Sequence, residues 1–251
     1  MEKLTDISIY ISSSSCPLQK FSDDSAAVGL ITDGDDTEYR GLIQDFVDWS
    51  LRNNLRINAS KTKELVVYLR RRNTPPPAPV NILGTDVDVV KTYKYLGVHL
   101  NNNLDWTHNT DALVKKGNSR LFLLRRLRSF GVQGPLLRTF YASVVGSAIF
   151  YGIVCWSRSI RDRKRMDRLV RRASSVLGCP LDSVEVVGNG RMMAKLSSCH
   201  VEQHVPPLQD PLAALGSSFS ERLLHPRCVK KRYRRSFLPA AVRLHNKHNA
   251  R

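Results

Sequence analysis

No C-x-x-C pair occurs among the five cysteines, Cys16, Cys155, Cys179, Cys199 and Cys228, and an odd count at irregular spacing leaves neither a disulfide framework nor a standard zinc site. A reducing, intracellular compartment, nucleus or cytoplasm, is the expectation, with no disulfide-linked partner. Cys199-His200 with His204 gathers possible metal ligands, but not at the spacing of a zinc knuckle, and reads as ordinary loop. Met1–Ser15 has neither a basic start nor a sustained apolar stretch, so no secretory leader is expected. The one membrane-like stretch, Phe140–Trp156, is 17 residues long and broken by Ser143, Gly146, Ser147 and Gly152. A spanning helix needs about 20 apolar residues, so a buried helix and no membrane association are expected there. Acidic side chains are scarce as well, 22 against 39 Lys and Arg.

What is present suits a folded protein. With 251 residues, 42% apolar and 24% charged, the chain can bury a core and hold one or two domains. Its net charge of +17 is unevenly placed: residues 1–110 hold 12 basic and 14 acidic side chains, whereas residues 111–251 hold 27 and 8. The second part is therefore a polycation. Such a charge attracts phosphates mainly by counterion release, with little sequence preference. A solvated basic surface is the alternative. The oligomeric state is not legible in the sequence.

Periodicity divides the chain. Leu18–Leu30 reads as a hairpin, and Thr37–Leu55 as an amphipathic helix with Leu42, Ile43, Phe46 and Trp49 on one side and Asp35 or Asp36 to cap it. Valine-rich Glu64–Leu69 reads as a strand, broken by the proline run 75–79. Val80–Leu83 and Val87–Val90 flank Gly84-Thr85-Asp86 as a second hairpin, and Tyr93–Leu100 is a further strand. Beyond Trp106 the spacing becomes helical, with Leu113, Gly117, Leu121, Leu124 and Leu127 or Arg128 on one face. Pro135 starts an apolar helix reaching about Trp156, and Ile160–Leu177 keeps Met166, Leu169, Val170, Ala173 and Leu177 in one stripe. Arg161, Arg163, Lys164, Arg165, Arg168, Arg171 and Arg172 occupy the rest of that helix. Residues 178–226, rich in glycine, serine and proline, read as a poorly ordered connector with one short helix, before a last helix through Leu238, Ala241, Val242 and Leu244.

The feature richest in chemistry is Phe21-Ser22-Asp23-Asp24, two adjacent aspartates at a tight turn between short apolar stretches. Neighbouring carboxylates repel each other, and a cation, Mg2+ first, relieves that repulsion. The run resembles the active-site hairpin of reverse transcriptases, in particular those of non-LTR (LINE-type) retrotransposons. Asn54–Glu64 is similar to the next polymerase motif, Tyr93–Leu100 to the one after it, and Arg120–Leu127 continues the resemblance. Ser22 stands where alanine is usual, and Tyr68 where the family commonly has aspartate.

The resemblance implies roles for particular residues. Asp23 and Asp24 are metal ligands and catalytic carboxylates; Lys61 sits near the departing pyrophosphate as a charge or proton donor. The turn from Tyr95 to Val98, with Gly97, supports the primer end. Residues 18–104 are then part of a polymerase palm and 105–178 a thumb-like bundle, which holds a template–primer duplex by its backbone. Arg125, Arg126, Arg163, Lys164, Arg168 and Arg171 are its candidate contacts. In the tail, Lys230, Arg232, Tyr233 and Arg234 mix basic and aromatic groups, which suits single-stranded nucleic acid, a nuclear import signal, or the packing of the final helix. The implied partner is RNA or an RNA/DNA hybrid.

Two-metal phosphoryl transfer takes a further aspartate from a strand upstream of the hairpin. Only 22 residues precede Asp23, residues 1–17 do not resemble the family, and Asp6 lacks the expected flanks. The expectation is the carboxyl part of an RNA-directed DNA polymerase, without fingers, inactive by itself and retaining nucleic-acid binding. A binding protein with no polymerase role is a second reading. A third comes from Asn53–Arg72, which looks similar to a small amino-terminal module of AlkB-type dioxygenase and tRNA methyltransferase proteins. A dioxygenase needs His-x-Asp/Glu and a distant His, for which only His200-Val201-Glu202 qualifies in part, and no glycine-rich loop suggests a methyltransferase. The expected fold class is α+β: a small, mostly antiparallel sheet with one or two helices, then an all-helical bundle, then residues 179–251 as connector and basic tail.

Overall fold

The computed structural model describes residues 16, 18–21, 24–31, 34–67, 77–157, 159–201, 215–216, 222–227, 234 and 236–249. The architecture is α+β. Two compact units form, Met1–Tyr93 with Asn101–Leu104, and Lys94–Leu100 with Asp105–Arg251.

In the first unit, β1 (Leu18–Phe21) pairs antiparallel with β2 (Asp24–Ala27), Leu18 opposite Ala27 and Phe21 opposite Asp24. Helix α1 (Thr37–Arg52) follows. Of the two candidate caps, Asp35 accepts the Thr37 N–H at 3.0 Å, while the Asp36 carboxylate is taken by Arg40 at 2.7 Å. These hydrogen bonds from Thr37 hold the Asp35 carboxyl below its ordinary range. Asn54 enters the left-handed region at φ 55° and ends the helix earlier than the expected Leu55, a role asparagine fills at little steric cost.

The core of this unit is Val47 with Val80, Ile82 and Val87, and Tyr39, Ile43, Ile57 and Ala59 pack against it. Phe46 and Trp49, expected on the buried face, are half-buried and stack on each other at 6.0 Å. Of the expected strand Glu64–Leu69, Glu64 lies in β3 (Lys63–Glu64), and Leu65–Val67 are not strand. The partner of β3 is β6 (Asp88–Val89), and the pairing is parallel, Lys63 opposite Asp88, with their side chains bonded at 2.6 Å. Tyr68 lies outside the described residues. Strands β4 (Asn81–Ile82) and β5 (Thr85–Asp86) form an antiparallel hairpin tighter than expected, because Leu83 and Gly84 both take positive φ, 51° and 81°. Positive φ at both turn residues matches the twist of the flanking strands. The same Leu-Gly solution splits the expected strand Tyr93–Leu100 into β7 (Thr92–Tyr95) and β8 (Val98–Asn101), with Leu96 at φ 44° and Gly97 at 83°.

The second unit is helical. Helix α2 (Thr107–Ser129) buries Leu113, Gly117, Leu121 and Leu124, the expected face, together with Asn109 and Thr110. The apolar helix expected from Pro135 to Trp156 is not continuous. It comprises α3 (Gly134–Phe140, with Pro135 second), a π-helical turn Tyr141–Gly146 and α4 (Ser147–Ile149), then breaks at Gly152, φ 60°, before α5 (Ile153–Trp156). Helix α6 (Ile160–Leu177) has the expected bounds: Ser159 accepts the Asp162 N–H at its start and Gly178, φ 70°, closes its end.

One shared core joins Leu121, Leu124, Val145, Ile149, Trp156, Met166, Leu169 and Val184. Complete burial of a side chain such as Leu124 contributes roughly 1.5–3 kcal/mol. Gly117 lets α2 and α6 close up, since a Cβ there would lie 2.8 Å from Leu169 Cδ1. Where one short helix was expected in a poorly ordered connector, α7 (Val184–Val201) is an 18-residue packed helix. Asp167 accepts its first N–H, that of Val184, at 2.9 Å, and Gly188 sits so close to Ser157 that a Cβ would meet Ser157 Oγ at 3.1 Å. The final helix α8 (Phe237–His248) packs Ala240 and Ala241 on Met192 and Leu196 of α7.

Candidate nucleic-acid interface

The basic groups of the helical unit divide into two populations. Arg165 donates to Asp111 at 2.5 Å and Arg172 to Asn118 at 3.4 Å, each pair 54 residues apart, so α2 and α6 run side by side in the same direction. Arg163 is bound to Glu185 of α7 at 2.8 Å. Arg128 donates to the carbonyls of Ser175 and Val176, and Arg191 to that of Phe150 at 2.9 Å. These side chains tie helices together. Arg163, expected at the interface, belongs to this population.

The second population faces water. Arg161, Lys164, Arg168 and Arg171 are exposed along α6, and Lys115, Lys116, Arg125 and Arg126 along α2. None of them makes an ion pair among the described residues. The buried stripe of each helix faces the shared core, and these charged side chains lie outside it. Of the expected tail contacts, Arg234 is exposed just before α8, and its carbonyl accepts a bond from Arg243. Lys230, Arg232 and Tyr233 lie outside the described residues.

In the same unit, the Leu96-Gly97 turn rests on a residue that sequence reasoning missed. The Tyr151 hydroxyl donates to the Leu96 carbonyl. A Cβ on Gly97 would meet Tyr151 Cε1 at 3.3 Å, and one on Gly152 would meet Val98 at the same distance. The Tyr-Gly pair inside an apolar run was the only available signal. Beside the turn, the His99 N–H donates to Asn109 Oδ1 at 3.1 Å and the His99 ring lies 4.6 Å from that of His108. Burial first, then the nearby His108 and Lys94, holds the His99 imidazole below its ordinary basicity.

In the first unit, Asp24 is exposed at the start of β2, and Asp23 lies outside the described residues. Lys61 is exposed on a loop that Asn58 organises, accepting the Lys61 N–H on its carbonyl at 3.2 Å and on its side chain at 3.1 Å. No described contact joins Asp24 to Lys61. Asp24 offers an oxygen donor of the kind a hard cation takes. Among the described residues, however, no three His, Cys, Asp or Glu side chains are grouped to hold a metal ion. Asp6, Glu202 and His204 lie outside them.

The chain is similar to transposon RNA-directed DNA polymerases. It is 30% identical over 147 residues, 55% of this chain and 16% of the relative, to the probable RNA-directed DNA polymerase from transposon X-element of Drosophila melanogaster. It is 25% identical over 193 residues, 75% of this chain and 21% of the relative, to that from transposon BS of the same organism. The chain thus spans about a sixth to a fifth of the length of these curated relatives. Residues 106–147 match the family "Alkylated DNA repair protein alkB homolog 8, N-terminal". That match falls on α2 and the helix after it, not on the expected 53–72. No solved structure matches the chain. Among the described residues no helix is long and apolar enough to cross a membrane.

Proposed function

We propose that the chain derives from the RNA-directed DNA polymerase of a non-LTR retrotransposon, and that its helical unit binds the sugar–phosphate backbone of an RNA/DNA hybrid through Arg125, Arg126, Lys164, Arg168 and Arg171. The supporting observation is the segregation of cations: those that serve the fold are neutralised or bonded, and those on the outer faces of α2 and α6 have no acidic partner among the described residues. Evenly charged phosphates suit such a face, and it carries no base-reading pattern. Tyr95 and Gly97, on a turn braced by Tyr151, would support the primer end. Asp23 and Asp24 would hold Mg2+, which supplies charge neutralisation at the transferring phosphate, and Lys61 would lie toward the pyrophosphate. That cage would need a further carboxylate beside Asp23 and Asp24. The segment 106–147 contains no His-x-Asp or His-x-Glu, so that match adds no support to a dioxygenase activity.

The test is hybrid binding by the full chain as a function of salt. Five phosphate contacts give a slope of log K against log salt of about −4. The triple variant Lys164→Ala, Arg168→Ala, Arg171→Ala should flatten it by about 2–3 units. Retention no stronger than that of an unrelated protein of equal charge, or an unchanged slope in the variant, defeats the reading.

A further inference from the structure

Helix α2 is apolar on two sides, and among the described residues only the inner one enters a buried core. Its inner face enters the core through Leu113, Gly117, Leu121 and Leu124. On the outer face Phe122 is 59% exposed, Leu123 47% and Phe130, which caps the helix, 72%. Phe122, Arg126 and Phe130 are spaced i, i+4, i+8 and therefore lie in one outward stripe. The Arg126 guanidinium sits over the Phe130 ring, 5.2 Å from its centroid, so cation and ring are presented together. Lys115, Lys116 and Arg125 are exposed on the same helix, and no acidic residue occurs between Ala112 and Phe130.

We infer that the Phe122–Arg126–Phe130 stripe binds unpaired nucleotides of a single-stranded nucleic acid, the rings stacking on bases while the flanking lysines and arginines meet phosphates. The inference rests on the nucleic-acid reading above and adds strandedness to it. A duplex keeps its bases stacked internally and has nothing to offer two phenyl rings; an unpaired strand has a π-face at every base. The exposed cations of the same helix, with no acidic residue from Ala112 to Phe130, favour a polyanion over a neutral apolar partner.

The test uses the full chain, an oligouridylate of roughly 12 nucleotides and a blunt RNA/DNA hybrid of equal length, read by fluorescence anisotropy. Phe122→Ala with Phe130→Ala should weaken oligouridylate binding about tenfold or more with its salt slope unchanged, and hybrid binding less than about twofold. Phe122→Tyr with Phe130→Tyr should restore it. Circular dichroism checks that the variants fold, which two exposed positions permit. If wild type binds hybrid but oligouridylate affinity ignores the alanine pair, the stripe does not stack bases, and the duplex-binding reading survives. Binding of neither ligand overturns both. Loss of phosphatidylserine vesicle binding, with oligouridylate binding intact, assigns the stripe to a membrane surface and overturns the inference.

Discussion

Tyr151, at the break between α4 and α5, donates its hydroxyl to the main-chain carbonyl of Leu96, so a turn of two residues is anchored by a side chain 55 positions along the chain. The anchor is specific. Gly97 next to it has φ 83° and lies against the Tyr151 ring.

Gly97→Ala should therefore cost about 1–2 kcal/mol, from the left-handed backbone and the close ring together. Tyr151→Phe, which keeps the ring and loses the bond, should cost about 0.5–1 kcal/mol. Urea denaturation of both single variants and the double measures this. Strictly additive losses would deny that the two residues form one contact.

Arg163 and Arg168 make opposite predictions although both are arginines on α6. Arg163→Ala removes a half-exposed ion pair with Glu185 and should lower stability by up to about 1 kcal/mol while leaving the salt slope for hybrid binding unchanged. Arg168→Ala should leave the melting temperature alone and reduce that slope by about one unit. Equal effects on binding would erase the distinction between structural and outward cations.

Gly117→Val should destabilise the helical unit by about 1–3 kcal/mol, because a Cβ there would meet Leu169 at 2.8 Å and Ile149 at 3.4 Å. Valine's second methyl group deepens the clash. Thermal unfolding followed by helical circular dichroism reads it, and a neutral result would mean that α2 and α6 are not in close contact.

Glu64 is buried in the first unit, and one of its carboxylate oxygens has no hydrogen-bond partner among the described residues. Burial raises its carboxyl above the ordinary value of 4.5, against bonds from Val80 and Tyr39. Burial, then Glu64 itself, pushes the Tyr39 hydroxyl up to about 12, so it stays protonated and donates. A folded state that binds this proton more tightly than the unfolded chain loses stability as pH rises from about 4.5 upward. Glu64→Gln should remove that decline, gaining on wild type toward neutral pH and losing its advantage in acid. Parallel stability profiles across that range would contradict the assignment.

Several of these features were legible in the sequence for a physical reason. The bounds and buried stripe of α6 follow from 3.6-residue periodicity between Ser159 and Gly178, and the inner face of α2 from the same rule. The pairing of β1 with β2 falls within the hairpin expected over Leu18–Leu30. Helix α7 was hidden because Gly188 and Gly190 lower helix propensity, while its stability comes from contacts that need Gly188 to be small. The interrupted helix from Gly134 to Trp156 was hidden likewise: Gly152 breaks it at a point where Val98 packs closely.

The sequence by itself determined that this chain places short strands and one helix ahead of a run of helices, concentrates its positive charge beyond residue 110, and resembles transposon polymerases in motif order. Local spacing and composition are enough for each of these. Only the tertiary structure decided which arginines are consumed by Asp111, Glu185 and backbone carbonyls and which face water, and that Tyr151 braces the Leu96-Gly97 turn. Partners far apart in sequence are chosen by packing, and no local pattern encodes that choice.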